Sequence, residues 1–133
     1  MVGVMNTWAI LAAAAVNIVL GAIWYMPPVF GRKWMALIGK TREELGSPTT
    51  PMVISVLTSL LLAYTMATLM SAAAIDNLAE GVLFSLLLSI GIFAASLAPQ
   101  LAFEGRPPQL FSIHAGYRIV SMMLMGGILG AWH

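Results

Sequence analysis

The side chain in this sequence that most needs a chemical explanation is Arg118. It stands inside an apolar stretch opening at Pro107-Pro108, with His114 one turn before it on the same helical face and Ser121 extending that face. A helix entering at Pro108 and rising about 1.5 Å per residue puts Arg118 roughly 15 Å deep, near the middle of a hydrocarbon core of about 30 Å. A charge there costs about 2.5–3.5 kcal/mol or more and needs a partner, a water-filled cavity or a route to the interface. Helical side chains tilt toward the helix N-terminus, so Arg118 leans back toward the end where Glu104 closes the preceding segment. An Arg118–Glu104 pair, direct or through water, is therefore expected. Arg106 stands at the rim and Tyr25 at the end of the first apolar stretch. Together Arg118, His114, Glu104, Arg106 and Tyr25 describe a polar pocket for an anionic small molecule or lipid headgroup. The alternative is a purely structural ion pair, which adds little net stability but is costly to break from one side.

Asn17 lies at similar depth in the first apolar stretch, between Ala13 and Gly21, where an interhelical hydrogen bond is the expected role. Catalytic constellations are thin. No carboxylates pair within helical reach, and Ser112 and His114 are i,i+2 neighbours that face different ways. His114 and His133 are separated by about 28 Å of helix, too far to share a metal. With no cysteine, disulfides, thiolate catalysis and cysteine metal sites are excluded. The ten methionines form no M-x-x-M repeat and read as adaptable packing rather than a copper path. No catalytic residue, metal or cofactor is assigned. Proton-coupled export calls for a carboxylate deep in the membrane, and Asp76, Glu80 and Glu104 all fall near segment ends.

The elements that must position these side chains follow from composition. With 60% hydrophobic and 8% charged residues, the chain is built for a bilayer. A net charge of +1 and the lack of a basic stripe exclude inferred nucleic-acid binding. A spanning helix needs about 20 apolar residues, and four such segments fill the length as one all-α transmembrane domain. The spans read as 7–26, closed by Pro27-Pro28; 51–74, opened by Thr50-Pro51; 78–103, opened by a capping box at Asn77 and Glu80 and carrying Pro99; and 108–132. The first lacks a basic leader and reads as a retained helix rather than a signal peptide. Between spans one and two, residues 29–45 place Phe30, Trp34, Leu37 and Ile38 on one helical face and Arg32, Lys33 and Lys40 largely on the other, as an interfacial amphipathic helix would. Thr41 and Glu44 form a second capping-box match. Trp24, Tyr25, Trp34 and Trp132 read as boundary anchors.

Orientation follows from charge. Arg32, Lys33, Lys40, Arg42 and Arg106 lie in the first and third connections, while the opposite side carries Asp76 and Glu80. Positive residues stay cytoplasmic, so loops 27–50 and 104–107 are expected inside and both termini outside a cell membrane. Small residues four apart let helices approach closely in lipid. Span two has Ser55, Ser59, Ala63, Ala67 and Ser71; span one Ala13, Asn17 and Gly21; span three Gly81, Ser85 and Ser89; span four Ser112 with Gly116 and Gly126 with Gly130. The five-rung ladder serves either the bundle or a subunit contact, and a homo-oligomer is expected.

The run NIVLGAIWYMPPVFGRKW from Asn17 to Trp34, FEGRP from Phe103 to Pro107, AGY from Ala115 to Tyr117 and the ending GGILGAW resemble a family of small bacterial and fungal integral membrane proteins, domain of unknown function 1761. The resemblance spans nearly the whole chain and implies a four-helix membrane fold. That family has no established activity, so it implies no site residues. The expected function is binding or transport of a small, anionic molecule or lipid through the pocket around Arg118. The alternative is a non-transporting structural or partner-binding membrane subunit.

Overall fold

The computed structural model describes residues 6–132, which are helical nearly throughout, with no strand among them. Six α-helices follow one another: α1 (Thr7–Trp24), α2 (Arg32–Ile38), α3 (Thr49–Ala72), α4 (Leu78–Leu88), α5 (Ala95–Phe103) and α6 (Pro108–Ala131). Two π-helical turns interrupt them, Pro27–Gly31 before α2 and Ser89–Ala94 between α4 and α5. α4, its π turn and α5 form one continuous rod. Among the described residues, three rods are long and apolar enough to cross a membrane: Thr7–Trp24, Thr49–Ala72 and Leu78–Phe103.

Helix ends follow from local chemistry. Asn6 caps α1 by accepting from the amides of Trp8 and Ala9 at 3.0 and 3.2 Å. Asn77 Oδ1 accepts from the Glu80 amide at 2.9 Å, the forward bond of a capping box, while the side-chain Nδ2 of Asn77, rather than its backbone N–H, donates to the Glu80 carboxylate. Pro108 supplies the first residue of α6, where a missing N–H costs nothing. α3 corrects one expectation. It begins at Thr49, not after Thr50-Pro51, with Pro51 tolerated in the first turn and Ser47 Oγ accepting from the Thr49 amide at 3.3 Å.

The segment 29–45 is helical only as far as Ile38. Gly39, at φ 72°, ends α2, and the Lys40 amide returns to the Met35 carbonyl at 3.1 Å. Thr41 and Glu44 do exchange both capping-box bonds, but around a turn rather than a helix. Arg32, Lys33 and Lys40 are exposed, whereas Phe30, Trp34, Leu37 and Ile38 are partly covered. The third rod continues past Pro99 to Phe103. Just before it the Ala95 amide reaches back five residues to the Ile90 carbonyl, so the ladder is already widened where proline removes a donor.

α6 is the centre of the packing. It lies against α1, α4 and the second π turn, and ten of its 24 residues are buried, against five of 24 in α3. Glycines explain the α4–α6 approach. A Cβ at Gly126 would overlap Ser85 Oγ and the Gly81 carbonyl, and one at Gly130 would overlap the Asn77 carbonyl. Three rungs of the ladder on α3 face the bundle: Ser59 is buried against Asn17, and Ala63 and Ala67 pack in one cluster with Ala9, Ala13 and Ala14 of α1. Met66, Met70, Met122 and Met125 fill the space that these small residues leave, as flexible thioethers can. Leu11, Val19, Leu57, Leu61, Leu83, Leu87 and Ile92 are exposed. Such broad apolar faces are ruinous in water and ordinary in lipid.

Candidate functional site

The polar heart of the bundle is at mid-height. Asn17 is ten residues beyond the start of α1, Ser59 ten beyond the start of α3 and Arg118 ten beyond the start of α6, each roughly 15 Å along its helix. Asn17 is only 5% exposed and joins all three. Its Nδ2 donates to Ser59 Oγ at 2.7 Å. Its Oδ1 accepts from Ser121 Oγ at 2.6 Å, Tyr117 OH at 2.9 Å and Arg118 Nη1 at 3.0 Å. The Tyr117 hydroxyl also lies 2.8 Å from the Asn17 carbonyl, so one proton serves two acceptors. Three donors on one amide oxygen exceed its two lone pairs, and the side chain is thereby fixed in orientation.

Arg118 is partly exposed. Beyond the bond to Asn17, its guanidinium lies over Tyr117 at 4.9 Å from the ring centroid and over Phe93 at 5.5 Å. Phe93 comes from the second π turn, so the widened helix delivers an aromatic face to the charge. Among the described residues no carboxylate pairs with Arg118. The expected partner, Glu104, is exposed at the end of α5 and accepts from Gln100 Nε2 at 3.4 Å. A direct Arg118–Glu104 pair is thus not formed. α5 ends one residue before Glu104, Gly105 at φ 71° turns the chain away, and the carboxylate is left on the side of Gln100, one turn back on the rod. Arg106 is likewise exposed, and its amide donates to the Leu101 carbonyl at 2.9 Å.

Two of the other expected pocket residues do meet. Tyr25 OH and His114 Nδ1 are 2.6 Å apart. Tyr25 also packs edge-on against Tyr117 at 5.6 Å and against Trp34 at 5.3 Å. A column of His114, Tyr25, Tyr117 and Arg118 therefore leads from the α2 end of the bundle to its middle. Trp24 is tied into the bundle. Its Nε1 donates to the Ile113 carbonyl at 3.0 Å and its ring lies on Gly116, where an added Cβ would come within 3.1 Å.

Sequence reasoning did not assign Tyr117, Phe93 or Ser59 to the site. Ser59 had a usable signal, since a buried polar rung opposite Asn17 is what an intramembrane amide needs. Phe93 had none, because its direction depends on the π turn. Among the described residues no three of His, Asp and Glu gather as metal ligands; His133 lies outside the described residues. What the arrangement offers chemically is a guanidinium with spare N–H donors, flanked by aromatic faces and neutral acceptors. A family model described as a protein of unknown function (DUF1761) matches residues 8–130. No curated protein and no solved structure matches the chain.

Proposed function

The chain belongs to the DUF1761 family of proteins of unknown function, and from that premise we propose that it is a four-span membrane protein that binds an anionic group of a small molecule or lipid at Arg118. The observation that carries this reading is the company Arg118 keeps: one bond to a neutral amide oxygen and two aromatic faces, with no carboxylate among the described residues. A guanidinium near mid-membrane needs compensation, and an anion using its remaining donors supplies it with charge-assisted bonds. Tyr25 and His114 line the approach from the α2 end. Movement of the ligand across the membrane is the extended form of the same reading.

In this reading α6 is the fourth span. Its lower hydropathy reflects its central place, since polar residues that face neighbouring helices need not meet lipid. α2 then lies along the cytoplasmic interface with Arg32 and Lys33 toward the headgroups, loops 27–50 and 104–107 are cytoplasmic, and both termini are outside.

Native mass spectrometry of protein released gently from lipid tests the ligand and counts the subunits of the expected homo-oligomer. The expected result is a retained anionic adduct on wild type, weakened in Arg118→Lys and lost in Arg118→Leu with assembly unchanged. Bare chains in all three overturn it. One observation favours a second reading, a structural membrane subunit without ligand: Asn17 Oδ1 collects three donors of α6, as a helix lock would. In that case Arg118→Leu disrupts the assembly and no adduct is seen.

A further inference from the structure

A recess with a mostly apolar wall and a polar rim opens at the α2 end of the bundle, apart from Arg118. It has a volume of about 330 Å³ and is lined by Trp24, Phe30, Lys33, Gln109, Ser112 and Ile113. We infer that this recess holds the phosphate of an anionic glycerophospholipid, with Lys33 as its cation, the Gln109 amide as its neutral donor, and the Trp24–Phe30 pair as the floor for the glycerol and upper acyl chain. The Ser112 hydroxyl, which donates to the Pro108 carbonyl at 3.3 Å, is a donor only once it turns from that carbonyl.

Charge comes first. Lys33 is the one ionisable residue of the lining, so the recess attracts an anion and repels a cation. Lys33 is exposed, free to swing over a headgroup, while the Gln109 amide and the Ser112 hydroxyl lie one turn apart at the start of α6. The lining is otherwise apolar. Trp24 and Phe30 rings stand 4.8 Å apart at 34°, and the Trp24 N–H is already committed to Ile113, which leaves its ring as a hydrophobic wall. A soluble phosphate uses the polar half of such a recess and leaves the wall empty, whereas a phospholipid uses both. Position agrees with charge. The recess lies between the end of one apolar rod and the start of α6, where a headgroup meets its chains, and basic pockets between helices on the cytoplasmic side suit anionic lipids.

Native mass spectrometry in a nonionic detergent tests this with defined probes: short-chain phosphatidylglycerol, the matching phosphatidylcholine, and glycerol phosphate. Wild type is expected to retain one Lys33-dependent phosphatidylglycerol per chain, counted apart from any adduct that depends on Arg118, and to bind phosphatidylcholine there at least about fivefold more weakly, with about the same loss in Lys33→Gln. Ser112→Phe fills the recess without altering charge and is expected to abolish the adduct, while Arg118→Leu leaves it in place. Equal retention of the two lipids, or full retention by Ser112→Phe, overturns the inference. Displacement by glycerol phosphate at equal concentration also overturns it, since the apolar wall would then contribute nothing. Both lining variants, Lys33→Gln and Ser112→Phe, concern exposed positions, and circular dichroism of each, and of Arg118→Leu, checks that the helices persist.

Discussion

Arg118 Nη1 donates to Asn17 Oδ1 at 3.0 Å, and so joins the only strongly charged side chain near the middle of α6 to the one buried amide of α1. The charge is held by a neutral group. Replacing that group tells what the charge is for. Asn17→Asp gives Arg118 the carboxylate it lacks and removes only the donor to Ser59, so the bundle is expected to stay assembled while any anion at Arg118 is displaced. Asn17→Leu strands Ser59, Ser121 and the guanidinium together, and should cost about 2–4 kcal/mol. Thermal unfolding in detergent, followed by circular dichroism, separates the two variants. A Asn17→Leu protein as stable as wild type would show that the amide hub contributes no stability.

Ser85 and Gly126 form the tightest part of the α4–α6 contact, and the two residues should respond in opposite ways. Ser85 Oγ is buried without a hydrogen-bond partner. Ser85→Ala removes an unsatisfied hydroxyl and is expected to be neutral or stabilising by about 1 kcal/mol. Gly126→Ala drives a Cβ into Ser85 Oγ and the Gly81 carbonyl and should destabilise by about 1–3 kcal/mol. Because only part of that overlap is with Ser85, combining Gly126→Ala with Ser85→Gly should recover part of the loss. Full additivity of the two substitutions would contradict this account.

How far the sequence discloses these contacts differs from residue to residue. Asn77 with Glu80 and the prolines at 107 and 108 act locally, so their effects are readable without tertiary information. The four-spaced small residues also state which faces pack, though not onto what: Gly81 and Gly126 could be named, but not paired. The direct Arg118–Glu104 pair is absent among the described residues for a physical reason. Depth and tilt along ideal helices locate a side chain only while the helices stay regular, and both the π turn at Ser89–Ala94 and the turn at Gly105 alter direction between Phe93 and Pro107. Phe93 reaches the guanidinium for the same reason that Glu104 does not.

Orientation in the membrane can be tested directly, since the chain has no cysteine. Single substitutions Lys40→Cys, Asp76→Cys and Trp132→Cys fall at exposed positions. In intact cells a membrane-impermeant maleimide is expected to label Asp76→Cys and Trp132→Cys, and to label Lys40→Cys only after the membrane is opened. The reverse pattern would invert the topology derived from basic residues. Labelling of Asp76→Cys alone would mean that α6 does not cross.

Gly31 controls how α2 folds back on the bundle. The π turn closes when the Gly31 amide reaches the Met26 carbonyl at 3.0 Å, and an added Cβ would overlap the carbonyls of both Tyr25 and Met26. Backbone atoms cannot give way as a flexible side chain can. Gly31→Ala should therefore open the turn, at a cost of about 1–3 kcal/mol. The opening should carry Trp34 away from the Tyr25 ring and widen the recess at Phe30. Its signature is local: loss of near-ultraviolet aromatic dichroism with helix content retained, and weaker phosphatidylglycerol retention at Lys33 with the Asn17–Arg118 contact intact. If Gly31→Ala preserves the aromatic signal and the lipid adduct, the turn is not what sets the position of α2.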